Sequence, residues 1–380
     1  MHAKLSSVVR ATAIVMMMVL AAIAVSSCGG GKSSSTAKPS PPASAGPTPS
    51  AGGRSPKYGG TLVVALSGDP GLLNPALSPS GLLHPVTGQI FDGLVRLDDH
   101  YNPLPDLARS WDVAKDGRTY TFHLARGVRW HDGRPFSSAD VKYSYDDVLL
   151  KFGSRTRQLA AVIQGIDTPD ANIVVFHLRT RYTPFLKWLD EDNGAILPAH
   201  LFRGTNPLTN PADARPVGTG PFMFQSEIKG NQITLVRNPH YFERGKPYLD
   251  RIVFRSIPPP QALQAFQAGE VQLLLFPTPP DLRVLERMPG VTVTEEGRQG
   301  FARVVRMIPN LRRKPFDDVR VRQAISYAID RPFIAKAAYG GTLQPATGPI
   351  SSDFKPWYTD AVMKFPHAPP RRSPSSTRLV

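Results

Sequence analysis

The sequence predicts a mixed α/β or α+β protein with more than one lobe, and two observations support this prediction. Short β-rich runs alternate with amphipathic helical patterns from residue 58 onward. That part of the chain is about 320 residues long, which is more than one compact hydrophobic core usually holds. No internal repeat is visible in the sequence.

Five runs have the character of β-strands. Thr61–Leu66 is a continuous apolar run between glycines, which is typical of a strand buried on both faces. Arg118–Leu124 alternates between apolar and polar residues, so Tyr120, Phe122 and Leu124 share one face. The other three strand-like runs are 172–178, 232–237 and 251–255.

Two shorter runs have helical patterns. Ser137 to Asp140 has the form of a capping box, with Asp in place of the usual Glu. The residues that follow it predict one apolar helix face, made of Val141, Tyr145, Val148 and Leu149. Gln261–Gly269 predicts a short helix that is stopped by its glycine.

The clearest helical pattern covers residues 317–330. Asp317 and Asp318 suit the positive end of a helix dipole, and Pro332 is expected to end the run. The pattern predicts a buried stripe formed by Val321, Ala324, Ile325 and Ala328.

The first residues of the chain predict an export signal. Lys4 and Arg10 precede an uncharged apolar run, which is followed by small residues. This is the layout of a secretory signal, and the run is shorter than a membrane-spanning helix requires. We therefore assign residues 1–28 to a signal peptide.

Cys28 is the only cysteine in the chain, so it cannot form an internal disulfide bond. The sequence Val-Ser-Ser-Cys that ends at Cys28 resembles a bacterial lipobox, whose cysteine is lipidated and becomes the first residue of the mature protein. A free thiol in an oxidising compartment would be a liability, which favours lipidation. The alternative is a plain signal peptide that is cut near Ala24 or Ser27.

Residues 29–57 are rich in Gly, Ser and Pro and contain almost nothing apolar to bury. This composition predicts a tether that holds a globular domain away from a membrane. Without an anchor at Cys28, the same segment would be a plain linker.

The formal net charge is +15, and such a charge is typical of proteins that bind nucleic acid or an anionic membrane. The basic residues do not cluster on one element with interleaved aromatic residues, and exported proteins rarely meet nucleic acid. We therefore expect no nucleic-acid partner. A basic surface beside anionic lipid is the milder alternative.

The sequence contains few candidates for catalysis. It has no G-x-S-x-G, H-E-x-x-H, P-loop or G-x-G-x-x-G motif. The lone pair Gly218 and Gly220 is interpreted as a turn, and His123, His131 and His177 as surface or core histidines, although the sequence leaves open a metal site between them. The carboxylate pairs have no partner that would tune them for acid–base work. We predict that the chain is not an enzyme and holds no cofactor or metal.

A series of short motifs between Tyr58 and Tyr358 occurs in the order found in one protein family. The motifs include 59–65, 69–75, 90–95, 104–112, 119–124, 127–141, 217–222, 237–242, 267–271 and 314–331. Through them the chain resembles the family 5 extracellular solute-binding proteins, the peptide, nickel and oligopeptide group of ABC importers.

The resemblance implies a two-lobed fold like that of type II periplasmic binding proteins, in which a hinge closes the lobes on a ligand. It places the first lobe at 58–100 and 210–265, an extra subdomain at 101–209, and the second lobe at 266–365. The implied function is to capture di- or oligopeptides and deliver them to a permease and its ATPase. The implied state is a monomer, lipid-anchored on the extracytoplasmic face of the cell membrane.

The same resemblance suggests which segments face the cleft. The alternative interpretation of each segment is an ordinary turn or strand end. Arg298 is placed to meet a ligand carboxylate. The implied ligand contacts are Asp69, Gly71, Leu72, Asn74, Phe276, Thr278, Arg298, Gln299 and Phe301. Nickel complexes, haem and oligosaccharides are the alternative ligands within the family.

The last residues depart from the family pattern. The segment 366–380 is rich in Pro, Arg and Ser and has no periodicity, which is typical of a shifted reading frame. We expect a frameshift or truncation that leaves the second lobe incomplete, exposes apolar surface and prevents closure on a ligand. The alternative is a genuine short variant with a basic tail.

Two other function classes compete with transport. A non-transport surface or sensor protein would reuse the same fold. An exported hydrolase would need a nucleophile and a base, and the sequence shows no such set.

Overall fold

The computed structural model describes residues 56–294, 304–352, 354 and 358–368. Cys28, the predicted tether up to Ser55, and Arg298, Gln299 and Phe301 lie outside these residues. The strands are β1 Thr61–Leu66, β2 Val95–Leu97, β3 Pro103–Pro105, β4 Ala108–Val113, β5 Thr119–Leu124, β6 Ile163–Asp170, β7 Ile173–Leu178, β8 Phe222–Ile228, β9 Gln232–Arg237, β10 Arg251–Ser256 and β11 Leu273–Leu274.

The helices are mostly short. They are α1 His84–Thr87, α2 Ser138–Tyr143, α3 Leu150–Phe152, α4 Glu191–Gly194, α5 Ala199–Phe202, α6 Pro259–Gln267, α7 Pro279–Leu285, α8 Val319–Ala328 and α9 Arg331–Tyr339. A π-helical segment, Ser144–Leu149, joins α2 to α3. Further 3₁₀ turns lie at Thr156–Ala161, Phe185–Trp188, Pro207–Thr209 and Pro211–Ala214. Within the described parts of the chain, no helix is long and apolar enough to cross a membrane.

The larger sheet has five strands in the order β11-β1-β10-β9-β8. β1 runs parallel to both β10 and β11, and β9 runs antiparallel to its neighbours β10 and β8. The strands predicted at 61–66, 232–237 and 251–255 are therefore confirmed. The sheet continues through Leu274, beyond the predicted lobe boundary at residue 265, and that boundary remains a prediction.

The second sheet has four antiparallel strands in the order β4-β5-β7-β6. β5 and β7 both alternate between buried and half-buried residues, as the period-2 pattern predicts. Tyr120, Phe122 and Leu124 point to the buried side. The Phe122 and Phe176 rings meet edge to face with their centroids 5.6 Å apart, which links the two central strands.

The helix after Ser137 begins and packs as predicted. The backbone N–H of Ser137 donates to the Asp140 carboxylate at 2.9 Å, which forms one half of the capping box. The predicted apolar face is buried against the second sheet; its residues are Val141, Tyr145, Val148 and Leu149. The π-helical segment was not predicted. It begins at Ser144, whose hydroxyl donates to the Asp140 carbonyl at 2.7 Å. The hydroxyl therefore competes with the backbone N–H groups of the helix for that carbonyl.

One hydrophobic cluster joins the five-stranded and the four-stranded sheets; β2 and β3 form a separate two-stranded sheet. The cluster contains Val64 and Leu66 of β1, Phe122 and Phe176 of the second sheet, and Phe254 of β10. A small satellite cluster under α6 is formed by Ala65, Ile257 and Val271. The helix α6 ends as predicted, with Gly269 at a φ of 75° just past its last turn.

The predicted buried stripe on α8 is wrong. α8 begins at Val319, and Asp318 caps it by accepting a hydrogen bond from the Arg320 N–H at 2.8 Å. No residue of α8 is buried, and Ala324 and Ala328 are exposed. An amphipathic pattern defines a helix face, but burial requires a second element packed on that face. The expectation for Pro332 is also wrong, because α8 ends at Ala328 and Pro332 lies in the first turn of α9.

Phe365, just before the predicted basic tail, and Ala368, within it, contact α8 and α9. The Tyr327 and Phe365 rings have centroids 5.3 Å apart. The Ala368 N–H donates to the Tyr327 carbonyl at 2.9 Å, and Arg331 Nη1 donates to the Phe365 carbonyl at 3.0 Å. The origin of the 366–380 segment remains a prediction.

Candidate functional site

The carboxyl ends of three parallel strands meet at one edge of the five-stranded sheet. β1 ends at Leu66, β10 at Ser256 and β11 at Leu274. The Ile257 N–H donates to the Leu66 carbonyl at 2.8 Å, and the Ser256 hydroxyl donates to the Gly68 carbonyl at 3.2 Å, so these ends are held together. In open α/β sheets ligands bind beyond the carboxyl ends of strands. We call this edge, with the segments 67–74 and 275–278, the candidate site.

The loop after β1 is anchored by Asp69. Its carboxylate accepts hydrogen bonds from the Gly71 N–H at 2.7 Å and from the Gly230 N–H of the β8–β9 turn at 3.0 Å. Gly71 has a φ of 76°, and a Cβ built there would meet nothing within 4 Å. Leu72 is 42% exposed. Asp69 therefore shapes the loop, whereas Gly71 and Leu72 present its open surface.

Asn74 lies beneath that surface. It is buried, and its side-chain amide donates to the Asp213 carboxylate at 2.8 Å. Its side-chain carbonyl accepts a hydrogen bond from the Ala76 N–H at 3.0 Å. Burial raises the pKa of Asp213, and the Asn74 hydrogen bond opposes that rise. Asn74 thus fastens the loop to the 211–214 turn, and its contact with a ligand remains a prediction.

Phe276 follows β11 and has an unusual backbone. Its φ is 56°, in the left-handed region that a bulky residue rarely adopts. Such a conformation costs about 1–3 kcal/mol, and it recurs at ligand clamps. The side chain is 55% exposed. Because β11 pairs in parallel with β1, Phe276 and Leu72 follow strands that end at the same edge.

The side chain of Thr278 stabilises the start of α7. It caps α7, and its N–H donates to the Asp281 carboxylate at 3.1 Å. Its hydroxyl donates to the same carboxylate, so Asp281 occupies its donor group. Of the six predicted contacts that the structure describes, Gly71, Leu72 and Phe276 present open surface at the edge. Asp69, Asn74 and Thr278 shape the segments that carry them.

Sequence reasoning missed a buried polar junction at the 218–220 bend, which precedes the amino end of β8. His131 Nδ1 accepts a hydrogen bond from the Gly218 N–H at 3.2 Å, and its Nε2 donates to the Gly220 carbonyl at 3.0 Å, which assigns the neutral Nε2–H tautomer. Burial lowers the pKa of His131 to about 4. The Asn238 side chain donates to the same Gly220 carbonyl at 2.9 Å.

The junction includes a buried carboxylate. The Thr219 hydroxyl donates to Asp92 at 2.7 Å, and burial raises the pKa of Asp92 to about 7. Asp106 is also buried, and burial together with the nearby Asp92 raises its pKa. Arg96 donates to Glu243 at 3.0 Å at the outer side of the group. The motifs 90–95 and 217–222 were the available signal, but neither shows in sequence that the two motifs meet.

The glycines of this junction are explained by packing. A Cβ at Gly218 would lie 1.8 Å from the Ile90 carbonyl oxygen, and one at Gly220 would lie 2.7 Å from the Gln89 carbonyl oxygen. The Gly220 N–H donates to the Ile90 carbonyl at 2.8 Å. The lone G-x-G is therefore a tightly packed bend, in line with its interpretation as a turn.

The histidines that the sequence left open for a metal do not meet. His123 pairs with Asp112 at 2.9 Å on β4, and His177 pairs with Asp167 at 2.9 Å on β6. His131 is bonded to the 218–220 bend. Each of these histidines thus has its own separate partner.

One exposed turn gathers possible metal ligands at Asp98, Asp99 and His100. The Asp98 carboxylate already accepts hydrogen bonds from the His100 N–H at 2.9 Å and from the Asn102 N–H at 2.7 Å. These bonds account for the grouping as a turn, and we assign no metal to it.

The candidate site offers binding groups. Its exposed surface consists of Gly71 backbone, an aliphatic side chain and an aromatic side chain. Such groups suit hydrogen bonding to a ligand main chain and packing against its side chains.

Comparison with known families adds to this geometry. The family model described as "Bacterial extracellular solute-binding proteins, family 5 Middle" matches residues 102–369. This match covers more than half of the chain. It includes the second sheet, the 218–220 bend and β8 to α9.

Individual relatives agree with that match. The chain is 31% identical to "Di/tripeptide-binding protein 2" of Pseudomonas aeruginosa, over 82% of this chain and 62% of that protein. It is 29% identical to "Heme-binding protein A" of Haemophilus influenzae, over 81% of this chain and 60% of that protein. The chain thus spans about 60% of the length of these curated relatives.

A solved structure has the same fold. The periplasmic binding protein DppA from Helicobacter pylori, in complex with the peptide STSA, superposes with a TM-score of 0.70 at 28% identity. The match covers 82% of this chain and 64% of that one.

Proposed function

The chain belongs to the family 5 bacterial extracellular solute-binding proteins, and we propose that it captures short peptides for an ABC importer. In this proposal the peptide lies at the candidate site, and a permease with its ATPase receives it. The partners are a peptide and the importer subunits, and the protein acts as a monomer that performs no covalent chemistry.

The observation that supports this proposal most is the strained, exposed Phe276. Its φ of 56° is rare for a bulky residue, 55% of its surface is exposed, and backbone conformations of this kind recur at ligand clamps. Gly71, with open space beside it, and the exposed Leu72 follow the neighbouring strand. Together they offer an edge on which an extended peptide can place its backbone and an apolar side chain.

Peptides are the ligand class favoured by the relatives. The relative from P. aeruginosa is named for di- and tripeptides, and the H. pylori structure contains a bound tetrapeptide. The H. influenzae relative is named for haem, which makes haem the main competitor. A nickel complex or an oligosaccharide remains the further alternative within the family.

We test the proposal by calorimetric titration of the purified chain with di-, tri- and tetrapeptides, with haem and a nickel–histidine complex as competitors. Peptide binding should be saturable, and Phe276→Ala should weaken it about tenfold or more, because a buried aromatic contact contributes on the order of 1–2 kcal/mol. Val113→Ala removes a similarly exposed side chain, 46%, from β4 and should leave the affinity unchanged. Equal affinities for the two variants would contradict the proposed site.

Phe276→Gly separates binding from stability. Glycine adopts a positive φ freely, so this change removes the strain together with the ring. We expect a free energy of unfolding equal to or about 1 kcal/mol above that of the wild type, with peptide affinity as weak as in Phe276→Ala. Denaturant unfolding and the same titration check both parts.

The second candidate is that the chain folds but binds no ligand. It is favoured by one observation: no residue of α8 or α9 is buried, so these two helices do not form a packed wall. In that case the chain should unfold cooperatively yet show no saturable heat with any peptide. The titration above therefore distinguishes the two candidates.

We also propose that Cys28 carries a lipid anchor on the extracytoplasmic face of the cell membrane. The lipobox-like sequence and the Gly/Ser/Pro-rich residues after it support this. Metabolic labelling with a fatty acid should mark the wild-type protein, and Cys28→Ser should lose the label and move to the soluble extracytoplasmic fraction. Labelling that persists in Cys28→Ser would contradict the anchor.

A further inference from the structure

A cavity of about 570 Å³ lies in the second-sheet region, on residues other than those of the candidate site. It is lined by the end of the α2–α3 helix and by the loop that follows α5. Its lining includes Tyr143, Asp147, Phe152, Arg203, Pro207 and Leu208. Its volume is within the range of pockets that hold small ligands.

One wall of this cavity is apolar and partly open to solvent. Tyr143 is buried, with 6% of its surface exposed, but Phe152 is 37% exposed and Leu208 is 55% exposed. The Tyr143 hydroxyl has no hydrogen-bond partner among the residues that the structure describes. The wall therefore offers apolar surface for a ligand body and one available hydroxyl.

The cavity also carries an unbalanced positive charge. Lys151 pairs with Asp147 at 2.9 Å, which neutralises both groups. The Arg203 guanidinium lies over the Tyr143 ring, with its central carbon 5.6 Å from the ring centroid. No carboxylate of the described ranges forms an ion pair with Arg203. One guanidinium is thus available beside an aromatic face.

The loop after α5, which carries Leu208, is held in place before any ligand arrives. The Leu208 N–H donates to the Asn206 side chain at 3.0 Å. The Asn210 side-chain amide donates to the Leu201 carbonyl at 3.0 Å and to the Thr205 hydroxyl at 2.6 Å. Because these bonds fix the loop, a ligand would lose little free energy in ordering it.

We propose that this cavity binds a small organic acid that has one carboxylate and an apolar or aromatic body. The carboxylate would meet Arg203, for which a planar guanidinium is well suited, and the Tyr143 hydroxyl. The body would cover Phe152 and Leu208 and remove their apolar surface from water. The charge of −1 matches the unpaired guanidinium. The proposal does not depend on peptide capture at the candidate site.

The test uses N-acetylphenylalanine as the probe, titrated into the purified chain by calorimetry. N-acetylphenylalaninamide has the same shape without the charge, and N-acetylglycine has the charge without the ring. The protein variants are Arg203→Gln and Leu208→Ser. Arg126→Gln is the matched control, because Arg126 is also an exposed arginine but does not line the cavity. Thermal unfolding confirms that each variant is folded.

We expect saturable binding of N-acetylphenylalanine, at least tenfold weaker binding of the amide and of N-acetylglycine, and a similar loss in Arg203→Gln. Leu208→Ser should lose several-fold, and Arg126→Gln and Phe276→Ala should bind as the wild type does. Absence of saturable binding, equal affinity for acid and amide, or full affinity in Arg203→Gln would overturn the proposal. A loss in Phe276→Ala with full affinity in Arg203→Gln would move the probe to the candidate site and overturn it as well.

Discussion

Two regions of the molecule differ in how they bury apolar surface: the first region is the described residues up to Leu285, and the second region is the described residues after it. Every buried residue in the described ranges lies at or before Leu285. Beyond it, Ile308 is 83% exposed and Phe333 is 65% exposed. Yet the helices of the second region are well capped, with Asp318 on α8 and Asp330 on α9.

This difference separates local from long-range causes. Caps and helical periodicity act within one helix, so they form α8 and α9 in the second region as they form α2 in the first. Burial requires partners that are distant in sequence. Phe122 and Phe176 meet because two strands pair, whereas no comparable partner covers Ile308 or Phe333 among the described elements.

The largest contrast should come from two truncated phenylalanines. Phe176→Ala should lower the free energy of unfolding by about 3–5 kcal/mol, because it removes a fully buried ring and leaves a cavity. Phe333→Ala should change it by less than about 0.5 kcal/mol, because that ring is already 65% exposed. Urea unfolding of both variants measures the difference. Similar losses of stability in the two variants would show that Phe333 is packed as well as Phe176, and would contradict the difference in burial between the two regions.

A glycine pair tests the junction between the sheets. Gly218→Ala should lower the free energy of unfolding by about 1–3 kcal/mol or more, because its Cβ would lie 1.8 Å from a backbone oxygen that cannot move away. Gly165→Ala is the matched control, since its Cβ would meet nothing within 4 Å. A near-neutral Gly218→Ala would mean that the 218–220 bend does not pack on Ile90.

Asp92, which lies in the first region, should make the stability of the fold depend on pH. Its pKa is about 7 in the folded state because of burial, against an ordinary value of 3.8. Between these two values the folded state holds a proton that the unfolded state has lost. The contribution of Asp92 to stability is therefore fully present below about pH 4 and is lost as the pH rises through about 7.

Asp92→Asn should remove this loss. An amide keeps an oxygen that accepts from Thr219 and has no charge to bury. Stability should then fall less steeply between pH 5 and 7, by on the order of 1 kcal/mol per pH unit. Urea unfolding at several pH values measures the slope. Asp98→Asn is the control, because hydrogen bonds from Asn102 and His100 lower the pKa of Asp98 and keep its titration below this pH range, so it should keep the wild-type slope. An unchanged slope in Asp92→Asn would contradict the assignment.

The smallest effect is expected at the cap of α8. Asp318→Ala removes the acceptor for the Arg320 N–H and should increase hydrogen exchange in residues 319–322. The unfolding midpoint of the first region should not change, because α8 has no buried residue to couple the two regions. A lower midpoint would show such coupling.

The sequence predicted elements whose signals are local. The alternation of Tyr120, Phe122 and Leu124 predicted β5 and its buried face, and the spacing of Val141 and Tyr145 predicted the helix face. The same reasoning failed at Ala324 and Ala328, because periodicity does not show whether anything covers a helix face.

The site was predictable only in part for the same reason. The order of the motifs directed attention to the loops at 69–74 and 276–278, where Leu72 and Phe276 are exposed. Nothing local indicates that Asn74 bonds to Asp213 or Thr219 to Asp92, because these partners are more than 120 residues apart. The positive φ of Phe276 depends on packing and has no signature in sequence.

Hydrogen exchange of the purified chain, measured with and without a saturating tripeptide, shows whether a peptide binds at the candidate site. We expect slower exchange on binding in residues 67–74 and 273–278, at the carboxyl ends of β1 and β11, with little change in α8 and α9. Saturable peptide binding that slows exchange only outside these two segments would place the peptide elsewhere and contradict the proposed site.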